Sequence, residues 1–154
     1  MTPRLNPFAA APKPMQAWLD FSLGLEGVDP RIAELVKIRA SQINGCANCL
    51  AMHTREARAK GETEQRLYLL DAWHEAPVYD ERERAALAWT DALTRLPDAR
   101  APDEVYEALN AQFTPEEQVA LTLLIVTING WNRLAVGFRI FHPEAAAKAA
   151  RQAA

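Results

Sequence analysis

Apolar residues recur every three or four positions along most of the chain, and no segment alternates with period two over a useful length. That pattern predicts an all-α, single-domain helical bundle. Residues 1–14 form a Pro/Ala-rich arm, expected to be extended or draped on a partner surface, ahead of one helical domain over 15–154. From Met15, Trp18, Leu19, Phe21, Leu23 and Leu25 crowd one broad face, and Gly27 closes the segment. Pro30 suits the first turn of a second helix, where a missing N–H costs nothing. Ile32, Leu35, Val36, Ala40 and Ile43 follow at helical spacing, and Gly45 is a plausible stop.

A third helix is predicted from Cys46 or Ala47 to Lys60, before Gly61. A fourth starts at Thr63 or Glu64, carries Leu67, Leu70 and Trp73, and stops before Pro77. Asp80 with Glu83 three residues later reads as a capping box for a fifth helix through Ala86, Leu87, Leu93 and Leu96. Pro102 opens a short sixth helix through Val105, Tyr106 and Leu109. Thr114-Pro115-Glu116-Glu117 supplies a capping hydroxyl, a first-turn proline and a glutamate at the third position. The helix it starts is expected to reach about Ile140. Its first half, Val119 to Ile128, is apolar nearly all round and is expected to be buried on every side. Pro143 begins an Ala-rich tail helix.

Composition narrows the function classes. The formal charge is −3 and the pI about 5.6, with no basic stripe of the kind nucleic acid requires. No apolar run is expected to span a membrane, and the arm lacks the apolar core of a signal peptide. The pattern therefore predicts a cytoplasmic protein. The two cysteines of the 154-residue chain stand together as Cys46-Ala47-Asn48-Cys49. A disulfide between them closes so short a loop that it stabilises by about 2 kcal/mol at best. Redox chemistry or metal binding explains the pair better than stapling.

With Cys46 at a helix start, Cys49 and His53 follow at i+3 and i+7 on one face. The positive helix end and a nearby histidine both favour a thiolate. Such a thiolate, with a second thiol in reach, can attack an O–O bond, become a sulfenic acid and condense to a disulfide. Glu34 precedes Cys46 by eleven intervening residues, and three separate Cys49 from His53. On the helical wheel Glu34 lies opposite Ile32, Val36 and Ile43, beside Lys37 and Ser41, so periodicity alone predicts a solvated side chain.

The set Glu34, Cys46, Cys49 and His53 at these spacings resembles the alkylhydroperoxidase D family of the carboxymuconolactone decarboxylase-like superfamily. The resemblance implies a cofactor-free thiol peroxidase in which Cys49 attacks the hydroperoxide and Cys46 resolves it. His53 and Glu34 would form the proton relay. It also implies a dithiol reductant, lipoyl-bearing or thioredoxin-like, and a homo-oligomer, trimer or hexamer. Asn48 departs from better-known members, which carry a histidine there. The decarboxylase branch lacks the cysteine pair.

Other readings remain open from the residues themselves. Thioredoxin-like domains need a βαβ setting, which the pattern does not provide. Cys46, Cys49, His53 and Glu34 could form a zinc set, giving a metal-binding or interaction module without turnover, although structural sites favour a second Cys or His pair. His74 and His142 read as surface residues. Asn129, Asn132 and Arg133 interrupt an apolar helix and call for hydrogen-bond partners or an interface. Trp18, Trp73, Trp89 and Trp131 read as core or interface. The large apolar area offered by these rings and the long helix independently favours an oligomer.

Overall fold

A computed structural model describes residues 2–141, and all regular structure among them is helical. Asn6 accepts hydrogen bonds from the Phe8 and Ala9 N–H groups and starts a single turn, α1 (Pro7–Ala10). α2 (Pro12–Leu23) follows at once. The arm expected to be extended therefore folds, and the helix placed at Met15 begins at Pro12. The arm lies on its own chain. Arg4 donates from its backbone to Phe138 O and from its side chain to Gly137 O, both at 3.0 Å, and Phe8 stacks on Trp131.

α3 (Pro30–Ile43) starts at Asp29, whose carboxylate accepts from the Arg31 and Ile32 N–H groups. α4 (Ala47–Ala59) and α5 (Glu64–Leu69) come next. The helix expected to run on to Pro77 instead tightens into a 3₁₀ turn at Leu70–Ala72. α6 (Glu81–Thr94) opens on the Asp80/Glu83 capping box. α7 (Leu96–Ala99) and α8 (Asp103–Gln112) lead to α9 (Pro115–Phe138), which opens on the Thr114/Glu117 capping box. The tail helix expected after Pro143, and His142, fall outside the described residues.

α3 is the central element, packed by α4, α6 and α9 on different sides. Ile32 and Val36 join Ala86, Leu109, Leu121 and Ile125 in one core cluster, while Leu35 and Ile38 join Ala57, Leu70, Trp73 and Leu87 in another. Arg39, 4 % exposed, grips Asp91 of α6 through two hydrogen bonds of 2.7 and 2.8 Å. A guanidinium buried so far needs that two-pronged carboxylate partner.

α9 corrects two expectations. By length and composition it could cross a membrane. Here it packs one side on α3, α4, α6 and α8. It is not buried on every side, since Val119 is 61 % and Val126 52 % exposed. Bundle neighbours cover only one side of it, and its outer face stays apolar.

Gly130 of α9 shows how closely the helices meet. A Cβ there would stand 2.7 Å from Cζ2 of Trp18, a ring held against Phe21 and Trp131. Gly130→Ala should therefore destabilise the protein by roughly 1–3 kcal/mol through overpacking, despite alanine's better helix propensity. Urea unfolding midpoints check this. An unchanged or raised midpoint would contradict it.

Candidate active site

The end of α3 hands over directly to the start of α4. Gly45 N–H donates to Gln42 O and Cys46 N–H to Ser41 O, at 3.2 and 3.0 Å, which is the Schellman pattern of a helix end. Gly45 takes φ +65°, a conformation that side chains resist. Cys46 is then the N-cap of α4, and its sulfur accepts the Cys49 N–H at 3.3 Å. Helix end and helix start thus share one short turn, and Cys46 occupies it.

Cys46 and Cys49 are joined as a disulfide with Cα atoms 5.4 Å apart. Both are buried, packed with Ala40 of α3 and with Ile128 and Ala135 of α9. His53 follows one turn after Cys49 on the same face of α4, and it too is buried. Its Nδ1 faces Glu34 Oε2 at 3.1 Å and Glu56 Oε2 at 3.2 Å. Two carboxylate oxygens on Nδ1 favour a hydrogen there, and in that tautomer Nε2 is the ring's acceptor.

Glu34 is 1 % exposed, against the solvated position that periodicity predicts. The reason is tertiary: α4 lies along that side of α3 and brings His53, and Lys60 follows just past its end. Lys37 Nζ and Lys60 Nζ both donate to Glu34 Oε1, at 2.8 and 2.6 Å. Burial pushes the Glu34 carboxyl up, yet hydrogen bonds from His53, Lys37 and Lys60 together outweigh it and hold the pKa at about 2, below the ordinary 4.5. Glu34 is therefore a fixed anion that orients His53.

Of the four residues singled out in the sequence the structure joins two pairs, Glu34 with His53 through a hydrogen bond and Cys46 with Cys49 through a bond between sulfurs, and α4 carries one member of each pair a turn apart. Three participants were not singled out. Glu56 stands three residues after His53 on one helix face, a spacing readable in the sequence. Lys37 likewise follows Glu34 by three residues. Lys60 comes from beyond the end of α4, and no local signal points to it. His74 is exposed, as expected. Asn129 and Asn132 are buried and hydrogen-bonded, among other partners, to Thr94 and Ser41.

Glu34, His53 and Glu56 offer three ligand atoms within 4.8 Å of one another. Two ammonium groups already neutralise Glu34, and that set includes neither sulfur, so it makes a poor structural zinc site. The reduced protein, prepared without chelator, should hold far less than one zinc per chain. Stoichiometric zinc with unfolding on chelation would favour the metal module instead.

Residues 12–92 match the carboxymuconolactone decarboxylase family. The chain is 41 % identical to YdfG of Bacillus subtilis over 88 % of its own length and 94 % of that protein. Among solved structures it resembles an Agrobacterium tumefaciens protein of unknown function, grouped with the antioxidant defence protein AhpD. Identity there is 44 % and the TM-score 0.89, over 92 % of this chain and 99 % of that one. The debrominase Bmp8 shares the fold at 17 % identity and TM-score 0.78, over 91 % of this chain and 77 % of that one. One fold thus serves more than one chemistry, and the activity has to be read from the site.

Proposed function

The chain belongs to the carboxymuconolactone decarboxylase family, and from that membership we propose that it is a thiol peroxidase that reduces hydroperoxides through the Cys46–Cys49 dithiol. The observation that carries this reading is the buried cysteine pair at the start of the helix that carries, one turn on, a buried histidine whose Nδ1 is fixed by Glu34. The likeness to the AhpD-grouped protein of Agrobacterium tumefaciens supports it.

The cycle begins with the reduced pair. His53 takes the Cys49 proton at Nε2, and the charge that develops on the ring is met by Glu34 and Glu56. The Cys49 thiolate attacks the terminal peroxide oxygen and the O–O bond breaks. Cys49 becomes a sulfenic acid, and the alkoxide leaves as an alcohol with the proton returned by His53. Cys46 then attacks the Cys49 sulfur, the S–O bond breaks, and water departs with the remaining proton. The products are one alcohol, one water and the disulfide. A dithiol protein, lipoyl-bearing or thioredoxin-like, returns two electrons by attacking the Cys49 sulfur. Cys46 then leaves as a thiolate stabilised by its place at the N-cap, where the Cys49 N–H points at its sulfur. A stabilised thiolate is the better leaving group, which suits Cys46 to depart when the reductant attacks Cys49.

Dithiol-driven consumption of an alkyl hydroperoxide tests the reading. Sustained turnover without added metal or cofactor is the expected result. No consumption above the protein-free rate would overturn it. In the cell the reaction would run in the cytoplasm, where reductants keep thiols available.

We also expect copies of the chain to associate through the outer face of α9, where Val119, Leu123, Val126 and Val136 are exposed. Light scattering should give a multiple of 17.1 kDa. A single-chain mass that persists on concentration would exclude that assembly.

A further inference from the structure

The turn that carries Cys46 is tied to α9 by a side chain that the peroxide cycle does not use. Asn44 is the C-cap of α3, two residues before Cys46. Its amide nitrogen donates to Asn129 Oδ1 at 3.0 Å and to Asn132 Oδ1 at 2.9 Å. Both amide hydrogens are thereby used. The two acceptors are themselves anchored. Asn132, 1 % exposed, donates to Ser41 Oγ at 3.0 Å. Asn129 donates to Thr94 Oγ1 and to Ile125 O, both at 3.0 Å. Asn129 Oδ1 also accepts from Arg133 at 2.9 Å, so within this half-buried network the Asn132 Oδ1 bond is the one whose loss leaves an acceptor without another partner among the described residues.

The network also sits where the sulfurs are. Asn132 lies between Ile128 and Ala135 on one face of α9, and those two residues pack against Cys46 and Cys49. The link between Asn44 and Cys46 is the glycine at φ +65°, and nothing lies within 4 Å of where its Cβ would be. Side-chain packing at Gly45 therefore does not hold the turn. Its restraints are the helix-end hydrogen bonds, the packing of Cys46 itself against Ile128 and Ala135, and the Asn44 clamp.

We propose that Asn44 is a positioning residue for the dithiol: its two hydrogen bonds to α9 keep Cys46 against Cys49 while the disulfide is open. The proposal rests on the redox reading of the pair. In the oxidised protein the covalent bond holds the turn whether or not the clamp exists. In the reduced protein the clamp restrains Cys46 and raises the effective concentration of one sulfur at the other. Removing the clamp frees the reduced state more than the oxidised one, so the disulfide becomes easier to reduce.

The test equilibrates wild-type protein and Asn44→Ala against mixtures of reduced and oxidised dithiothreitol, with the thiol fraction read by alkylation and mass. Asn44→Ala should raise the equilibrium constant for reduction about tenfold, equivalent to about 30 mV. A constant within about twofold of wild type, with unfolding midpoints lowered equally in both redox states, would reduce the clamp to a structural contact and overturn the proposal. If Asn44→Ala does not fold, amide hydrogen exchange on the wild-type protein decides. The Gly45 and Cys46 amides should stay protected after reduction, and exchange at the rate of an unfolded peptide in the reduced form would overturn the clamp. No peroxide enters either measurement. A shifted constant in a protein that fails to consume peroxide would therefore support the clamp and dismiss the peroxidase.

Discussion

Cys49→Ser is expected to lose peroxide reduction altogether, whereas Cys46→Ser should consume one equivalent and stop with a sulfenic acid on Cys49. Two features of the site pull in different directions here. The N-cap position of Cys46, with the Cys49 N–H directed at its sulfur, favours a thiolate on Cys46. The oriented base, however, lies one helical turn from Cys49 and two from Cys46. Attack on peroxide needs the proton removed and then returned to the leaving oxygen, and on that ground we assign the role of nucleophile to the cysteine nearer the base. Mass spectrometry of the two serine variants after dimedone trapping separates the assignments. Dimedone on Cys46 in Cys49→Ser, with one equivalent of peroxide consumed, would exchange the two roles.

Glu34→Gln should cost both stability and rate. The carboxyl titrates at about 2 in the folded protein against 4.5 ordinarily. At about 1.4 kcal/mol per pKa unit, the ionised form contributes roughly 3 kcal/mol. Because the folded pKa is the lower one, that contribution is present above pH 4.5 and is lost as the pH falls toward 2. Glutamine keeps one acceptor but turns an NH₂ group toward the Lys37 and Lys60 ammonium groups or the His53 Nδ1–H. The variant should therefore be about 2–3 kcal/mol less stable at pH 7. That gap should close between pH 4.5 and 2. Loss of the fixed anion behind His53 should also lower kcat/KM by on the order of 10²-fold. Urea denaturation across that pH range checks the linkage, and a gap independent of pH would contradict it.

Much of the fold is legible in the sequence because helix starts are written locally. The Asp80/Glu83 and Thr114/Glu117 boxes both form, and Gly45 stops α3 through its positive φ. The cysteine stretch is equally plain, since four residues of three types stand at fixed spacing on two adjacent helices and the turn between them. What is not legible depends on how the helices meet. Periodicity places Glu34 and Ser41 toward solvent, yet α4 covers one and Asn132 of α9 reaches the other. The same limit acts in reverse on α9, whose apolar outer face reads as core but finds no covering neighbour among the described residues. In the arm, Asn6 and two prolines start helices that a Pro/Ala-rich composition reads as extended chain.

A count of free thiols tests the central claim most directly. The reduced protein, held under argon, receives one equivalent of an alkyl hydroperoxide, and thiols are titrated before and after. The peroxidase cycle predicts two thiols per chain beforehand and none afterwards, with Cys46 joined to Cys49 and one equivalent of alcohol formed. Two thiols still present after the addition, with the peroxide intact, would contradict it.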